Sequence, residues 1–187
     1  MYNYNDLLRI SKISDNIYLS GIYPLEKFPD QFRNNNINCI LSCVDKPYVE
    51  SVHNEIFKNN PDIEILYIPY DDDIRENLSK RNLNNITINK YISNPSEMNR
   101  LTDMNNFFNN KSMLDISYFY IDDCIRSGKN ILIHCMAGVS RSASVLINYL
   151  MKKYDMEYDD AYKYLISKRS IVMPNESFKN QLKSIKK

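Results

Sequence analysis

Tryptophan is absent from this 187-residue chain, glycine occurs only three times and histidine only twice. Two histidines (His53 and His134) leave no room for a histidine-rich metal site. The four cysteines (Cys39, Cys43, Cys124 and Cys135) form no Cys-x-x-Cys pair, so the usual zinc spacing is missing as well. An excess of either charge is lacking too. The net charge is +1, which argues against a nucleic-acid partner or an anionic membrane surface. No apolar run approaches the ~20 residues that would insert in a membrane as a helix. Residues Met1 to Asp6 hold no apolar signal core, and no glycine follows Met1. These absences predict a soluble protein without metal or cofactor, intracellular in the cytoplasm or also the nucleus, with reduced cysteines. The length predicts one domain, 1–187, able to bury a substantial core.

What is present centres on one run, His134-Cys135-Met136-Ala137-Gly138-Val139-Ser140-Arg141-Ser142. It lies between a strand-like stretch, Ile131 to Ile133, and a helix-like stretch, Ser142 to Met151. A strand feeding a tight loop that opens a helix binds anions, because the first helical N–H groups have no partner within the helix. Here the loop starts with a thiol and ends with a guanidinium. A nucleophile, an anion cradle and a bidentate phosphate clamp thus share one turn, the parts that covalent phosphate-ester hydrolysis requires. A buried apolar cysteine beside a helix cap would explain neither Arg141 nor Gly138.

Around that run the chain alternates strands and helices. Ile13 to Ser20, Asn38 to Val44, Glu64 to Ile68 and Ile131 to His134 read as strands, the last apolar enough to be buried on both faces. Pro24 to Phe32 and Pro47 to Lys58 read as helices. The C-terminal third is helical: Ser142 to Tyr154, then a helix with Tyr158, Ala161, Tyr162 and Leu165 at i, i+3, i+4 and i+7, then Glu176 to Ile185. The pattern predicts an α/β fold, a central mostly parallel sheet of four to five strands flanked by helices. One segment departs from it. Residues 77–110 hold 11 asparagines in 34 positions with little apolar periodicity. Asparagine competes with regular backbone pairing, so this reads as a polar, poorly packed insertion with disorder favoured.

The His-Cys-x-x-Gly-x-x-Arg-Ser run, in its Ala-Gly-Val-Ser-Arg-Ser form, resembles the signature of the dual-specificity protein phosphatases within the cysteine-based tyrosine phosphatase superfamily. Ile17-Tyr18-Leu19-Ser20-Gly21 and Ile37-Asn38-Cys39-Ile40-Leu41-Ser42 resemble the family's early strands. Ile68-Pro69-Tyr70-Asp71-Asp72 resembles the strand and loop that deliver its general acid, and Pro174-Asn175-x-x-Phe178-x-x-Gln181-Leu182 its closing helix. The resemblance covers nearly everything but the asparagine-rich insertion, which puts Asp72 63 positions before Cys135, about twice the usual family separation. No cysteine follows Cys135, so nothing resembles the zinc-bearing tail of one family branch.

The resemblance implies a metal-independent phosphatase acting on phosphotyrosine and phosphoserine/threonine of protein substrates. Cys135 would be the nucleophile, and a helix N-terminus with a nearby cation favours its thiolate. The backbone of Met136, Ala137, Gly138, Val139 and Ser140 would bind the phosphate with Arg141. Arg141, with a contribution from His134, would supply positive field. Asp72 would be general acid and then base. That choice rests on the spacing after Ile68-Pro69, since periodicity alone leaves Asp71, Asp72 and Asp73 equivalent and a solvated acidic turn as the plain alternative. Ser142 would stabilise the departing thiolate, and Asn175 would brace the loop. Cys39 and Cys43, four apart on one strand, read as small apolar core residues. Two other functions compete. A phosphoinositide phosphatase would be expected to carry lysines in the loop, whereas Met136, Ala137, Val139 and Ser140 are uncharged. A catalytically weak scaffold that binds phosphoproteins would have lost the nucleophile or the arginine, and both are here. Large tyrosine-specific enzymes use a Trp-Pro-Asp loop that a chain without tryptophan lacks.

Overall fold

Among the described residues, six strands form one sheet in the order β1-β2-β6-β3-β4-β5. They are β1 (Ser11–Lys12), β2 (Ile17–Ser20), β3 (Ile37–Ser42), β4 (Glu64–Tyr67), β5 (Thr87–Asn89) and β6 (Asn130–His134). The computed structural model describes residues 4–80, 86–89, 95–109 and 111–185. The four inner strands are parallel, and β1 and β5 close the two edges antiparallel. The expected sheet is therefore found with six strands instead of four or five. The extra ones are too short to carry an alternation, and Ile13 to Asn16, read as strand, forms the turn that joins β1 to β2.

β6 lies between β2 and β3, with Ile131, Leu132 and Ile133 fully buried. Continuous apolar side chains suit a strand covered on both faces. Its register puts His134 beside Ser20 on one side and Ser42 on the other. The loops after β2, β3 and β6 consequently leave the same edge of the sheet, and the crevice beyond the carboxyl ends of parallel strands is where such folds bind ligands.

A short 3-10 helix (Tyr4–Leu8) and eight α-helices complete the described architecture: α1 (Tyr23–Lys27), α2 (Pro29–Asn34), α3 (Lys46–Asn59), α4 (Pro95–Phe108), α5 (Met113–Arg126), α6 (Arg141–Tyr154), α7 (Tyr158–Lys168) and α8 (Glu176–Ser184). The predicted single helix from Pro24 to Phe32 is two. Pro29 drives the residue before it out of the helical region, and Phe28 sits at φ −133° and ψ 58°. α5 was not anticipated, since its start follows the asparagine-rich stretch directly. It is capped by Ser112, whose Oγ accepts from the Asp115 N–H at 3.1 Å. Its face of Met113, Ser117, Tyr120 and Cys124 is buried. α6 is buried continuously from Ser142 to Leu150.

The insertion contradicts the expectation of a poorly packed segment where it is described. β5 pairs with β4, covering an edge that would otherwise present unpaired backbone. α4 buries Phe108 and packs Met104 against the core. Arg100 of α4 pairs with the buried Glu64 carboxylate and with Asp123 at 3.2 Å. These few apolar and charged anchors are spaced too widely among asparagines to register as a pattern. Residues 81–85, 90–94 and 110 of the insertion lie outside the described residues, as do Met1 to Asn3 and Lys186 and Lys187.

Candidate active site

The chain leaves β6 at His134 and re-enters helix at Arg141, so six residues must reverse direction within a tight loop. Gly138 makes this turn at φ +69°, a conformation that side chains disfavour. A Cβ there would also collide with the Ser20 carbonyl and lie 2.6 Å from Gly21 N. Gly21 in turn approaches the loop so closely that a Cβ would sit 2.7 Å from the Met136 oxygen. Two of the three glycines in the chain are therefore spent on one crossing between the end of β2 and the loop.

The loop's carbonyls are held outward from several directions. Ile22 N–H donates to Met136 O at 3.0 Å, and Met173 N–H donates to Val139 O at 2.9 Å. Arg169, fully buried, donates to Gly138 O at 3.0 Å from Nε and to Ala137 O at 3.1 Å from Nη2. Its Nη1 donates to the Asp6 and Arg9 carbonyls and to Ser11 Oγ. Burial draws this guanidinium down to about 10, which still leaves it charged at neutral pH. With the carbonyls engaged on the outside, the N–H groups are left for the concave side, the arrangement of an anion nest.

Cys135 occupies the base of that concavity and is almost wholly buried. Its Sγ accepts from the Gly138 N–H and from the Ser142 hydroxyl, each at 3.2 Å. Arg141 begins α6, with Nη1 donating to Tyr70 O at 3.3 Å and Nε 3.8 Å from Asp72 Oδ2.

The three consecutive aspartates have separate fates. Asp73 is engaged by the Arg75 guanidinium and N–H, which hold its carboxyl down at about 2. Asp71 uses its own N–H, donating to Glu76 Oε2 at 3.3 Å. Asp72 faces the loop, where its Oδ1 accepts from Ser140 Oγ at 2.7 Å and from Asn175 Nδ2 at 3.1 Å. The insertion leaves Asp72 beside the loop despite the long separation in sequence. Asn175 does two things at once: its Oδ1 caps α8 through the Phe178 N–H at 2.9 Å, and its amide bridges to Asp72.

The nucleophile loop, Arg141, Ser142, Asp72 and Asn175 are thus brought to one place, with one correction to the roles expected. His134 supplies no positive field. Its ring is completely buried and drawn down to about 4, chiefly by desolvation, so it is neutral near pH 7. Cys39 and Cys43 are both fully buried, and burial pushes the Cys43 thiol well up, as befits core residues. Sequence reasoning missed Arg169, Gly21 and His53. Arg169 follows an amphipathic helix in a Lys-Arg pair that reads as solvated surface, and nothing local marks it as buried.

A six-stranded α/β sheet whose central strand ends in a Cys-x5-Arg loop under an aspartate defines a class, the cysteine-based phosphatases. The match to known proteins agrees. Residues 17–187 match the family model for the dual specificity phosphatase catalytic domain, and the chain belongs to that family. It is 48% identical over 177 residues to a protein of Acanthamoeba polyphaga mimivirus named as a tyrosine-protein phosphatase, covering 95% of this chain and 84% of that one. A similarly named protein of Amsacta moorei entomopoxvirus is 32% identical over 94% of this chain and 86% of its own length. The crystal structure of the Cydia pomonella PTP-2 phosphatase superposes with a TM-score of 0.66 at 25% identity, covering 94% of this chain and 89% of that one. The chain is a phosphatase of the tyrosine and dual-specificity class, and its family implies phosphoprotein substrates.

Proposed function

We propose that this enzyme hydrolyses phosphotyrosine and phosphoserine/threonine in proteins through a phosphocysteine formed on Cys135, with no metal ion in the reaction. The observation that carries this reading is the sulfur itself. Cys135 Sγ lies under the Gly138 N–H and the Ser142 hydroxyl, at the base of a loop that leads into Arg141 and that Asp72 faces.

In the first step the thiolate attacks phosphorus in line, an S–P bond forms, and the P–O ester bond breaks with its electron pair going to the leaving oxygen. Asp72 gives that oxygen its proton. Arg141 grips two phosphoryl oxygens at once, a geometry that lysine cannot reproduce, and the loop N–H groups take up the remaining negative charge. In the second step Asp72 accepts a proton from water, which attacks phosphorus. The S–P bond breaks, inorganic phosphate leaves, and the Ser142 hydroxyl donates to the returning thiolate. Splitting the hydrolysis in this way replaces one difficult displacement by two easier ones.

The uncharged side chains of Met136, Ala137, Val139 and Ser140 favour singly phosphorylated side chains over a highly charged inositol head group. Nucleophile, arginine and acid stand together, so no observation favours a scaffold without turnover. The deciding experiment is hydrolysis of a small aryl phosphate in EDTA by the native protein and by Cys135→Ser. Turnover by the first and none by the second is expected. Equal rates in the two, or loss of native turnover in EDTA, would refute the proposal.

A further inference from the structure

Behind the nucleophile runs a buried chain of hydrogen-bonding groups that the reaction above does not use. The Tyr67 hydroxyl of β4 lies 2.8 Å from His53 Nδ1, and His53 Nε2, on α3, lies 3.0 Å from His134 Nε2. His134 Nδ1 lies 3.3 Å from the carbonyl oxygen of Cys135. Both histidines are fully buried, and they are the only two in the sequence.

Simple donor and acceptor counting fixes every proton in this chain. A carbonyl oxygen only accepts, so His134 Nδ1 must carry the hydrogen. A neutral ring then has a lone pair on Nε2, which needs a donor, and the nearest is His53 Nε2–H. His53 Nδ1 is left as an acceptor, and Tyr67 O–H donates to it. The reverse assignment would set the lone pair of His134 Nδ1 against those of the Cys135 oxygen. Adding a proton to His134 would make the two facing Nε2 atoms both donors at 3.0 Å. Burial keeps both rings neutral, with His53 drawn down to about 2 and His134 to about 4. Arg141 on α6 is the charged group that acts on His134, and it opposes a further positive charge there.

We infer that His53 is a positioning residue for the nucleophile loop: it holds His134 in the Nδ1–H tautomer and so orients the Cys135 carbonyl and the peptide that starts the phosphate cradle. The role in turnover rests on the function proposed above, whereas the tautomer assignment does not. Which nitrogen of an imidazole carries the proton is set by the bond its other nitrogen makes, and here that bond comes from His53. The Cys135 peptide is also the first of the loop, so tilting it moves Sγ relative to the Gly138 N–H.

The test has two parts. In 15N-labelled native protein, two-bond 1H–15N correlation should show His134 protonated on Nδ1 and His53 on Nε2, unchanged from pH 5.5 to 8. The opposite tautomers, or titration of either ring within that range, would overturn the inference. With an aryl phosphate, His53→Leu should lower kcat by about tenfold with KM within about twofold, the size of loss seen when a group that orients a working residue is removed. His53→Gln supplies one amide donor and one acceptor, so it should return kcat to within about threefold of native and keep His134 on Nδ1. Equal losses in the two variants with His134 still on Nδ1 would reduce His53 to core bulk and overturn the inference. If the native protein showed no turnover at all, the function proposed above would fall, and the tautomers in the spectrum would then decide the positioning role alone.

Discussion

Replacing Arg169 by methionine should cost both stability and catalysis although the residue never meets substrate. The side chain is fully buried and makes five hydrogen bonds, two of them to carbonyls of the nucleophile loop and three to the segment between Asp6 and Ser11. Methionine fills similar volume without a donor, so the change isolates hydrogen bonding from packing. Each orphaned buried acceptor costs roughly 1–3 kcal/mol, while the guanidinium's own desolvation is recovered and water can relieve some acceptors. Breaking a buried hydrogen-bond network of this size therefore costs about 3–5 kcal/mol net. For a chain of this size that lowers Tm by roughly 10 °C, at 2–4 °C per kcal/mol. The loop carbonyls at Ala137 and Gly138 would be free to turn inward, so turnover of an aryl phosphate should fall further than the population of folded protein does. Thermal denaturation followed by circular dichroism, with kcat measured well below Tm, reads both. Arg169→Lys, with a single charged nitrogen, should fall between native and Arg169→Met. A methionine variant that melts within 2 °C of native, or turns over at the native rate, would refute the view that the loop is held from outside.

Three further outcomes are expected. Asp72→Asn should lower kcat by about 10²-fold, more for esters with poor leaving groups, which steady-state kinetics on a series of aryl phosphates would show. Gly138→Ala should abolish turnover and destabilise by at least about 1 kcal/mol in urea unfolding, because φ +69° and the Ser20 and Gly21 backbones both exclude a Cβ. Acidification should destabilise the fold through its two histidines. The unfolded chain takes up protons near the ordinary 6.5 while the native rings stay neutral down to about 4 and about 2. Stability therefore holds above pH 7 and falls as pH drops through 6.5, by roughly 2 kcal/mol per histidine at pH 5. Urea unfolding at pH 7.5 and 5 checks this, with His53→Gln expected to halve the loss, and a flat profile would contradict it.

The nucleophile loop was legible because its chemistry is local. Cys135, Gly138, Arg141 and Ser142 fall within eight positions, between an apolar strand and a helix, and each type has a physical reason to be there. Asp72 was legible only through family resemblance, because three adjacent aspartates are equivalent until the partners are known. What separates them is Arg75, two residues on from Asp73, which captures that carboxylate and leaves Asp72 to Ser140 and Asn175. The insertion misled for a related reason. Phe108, Arg100 and Ile88 anchor it, yet none recurs at a period that a pattern would register, and their partners Glu64 and Leu66 stand in β4. Gly21, His53 and Arg169 stayed hidden because their sequence surroundings are those of an ordinary turn, an ordinary helix and an ordinary basic pair. Their significance is created by the strand order. Placing β6 between β2 and β3 brings the ends of segments more than ninety residues apart to one sheet edge. There Gly21 meets the loop from the β2 side, the β3 side offers Cys43 N–H to His134 O at 2.8 Å, and α3, which follows β3, brings His53 beneath it. The reactive atoms are thus specified by a short run of sequence, whereas the rigidity that makes them reactive comes from topology, through residues that carry no signal until that topology is known.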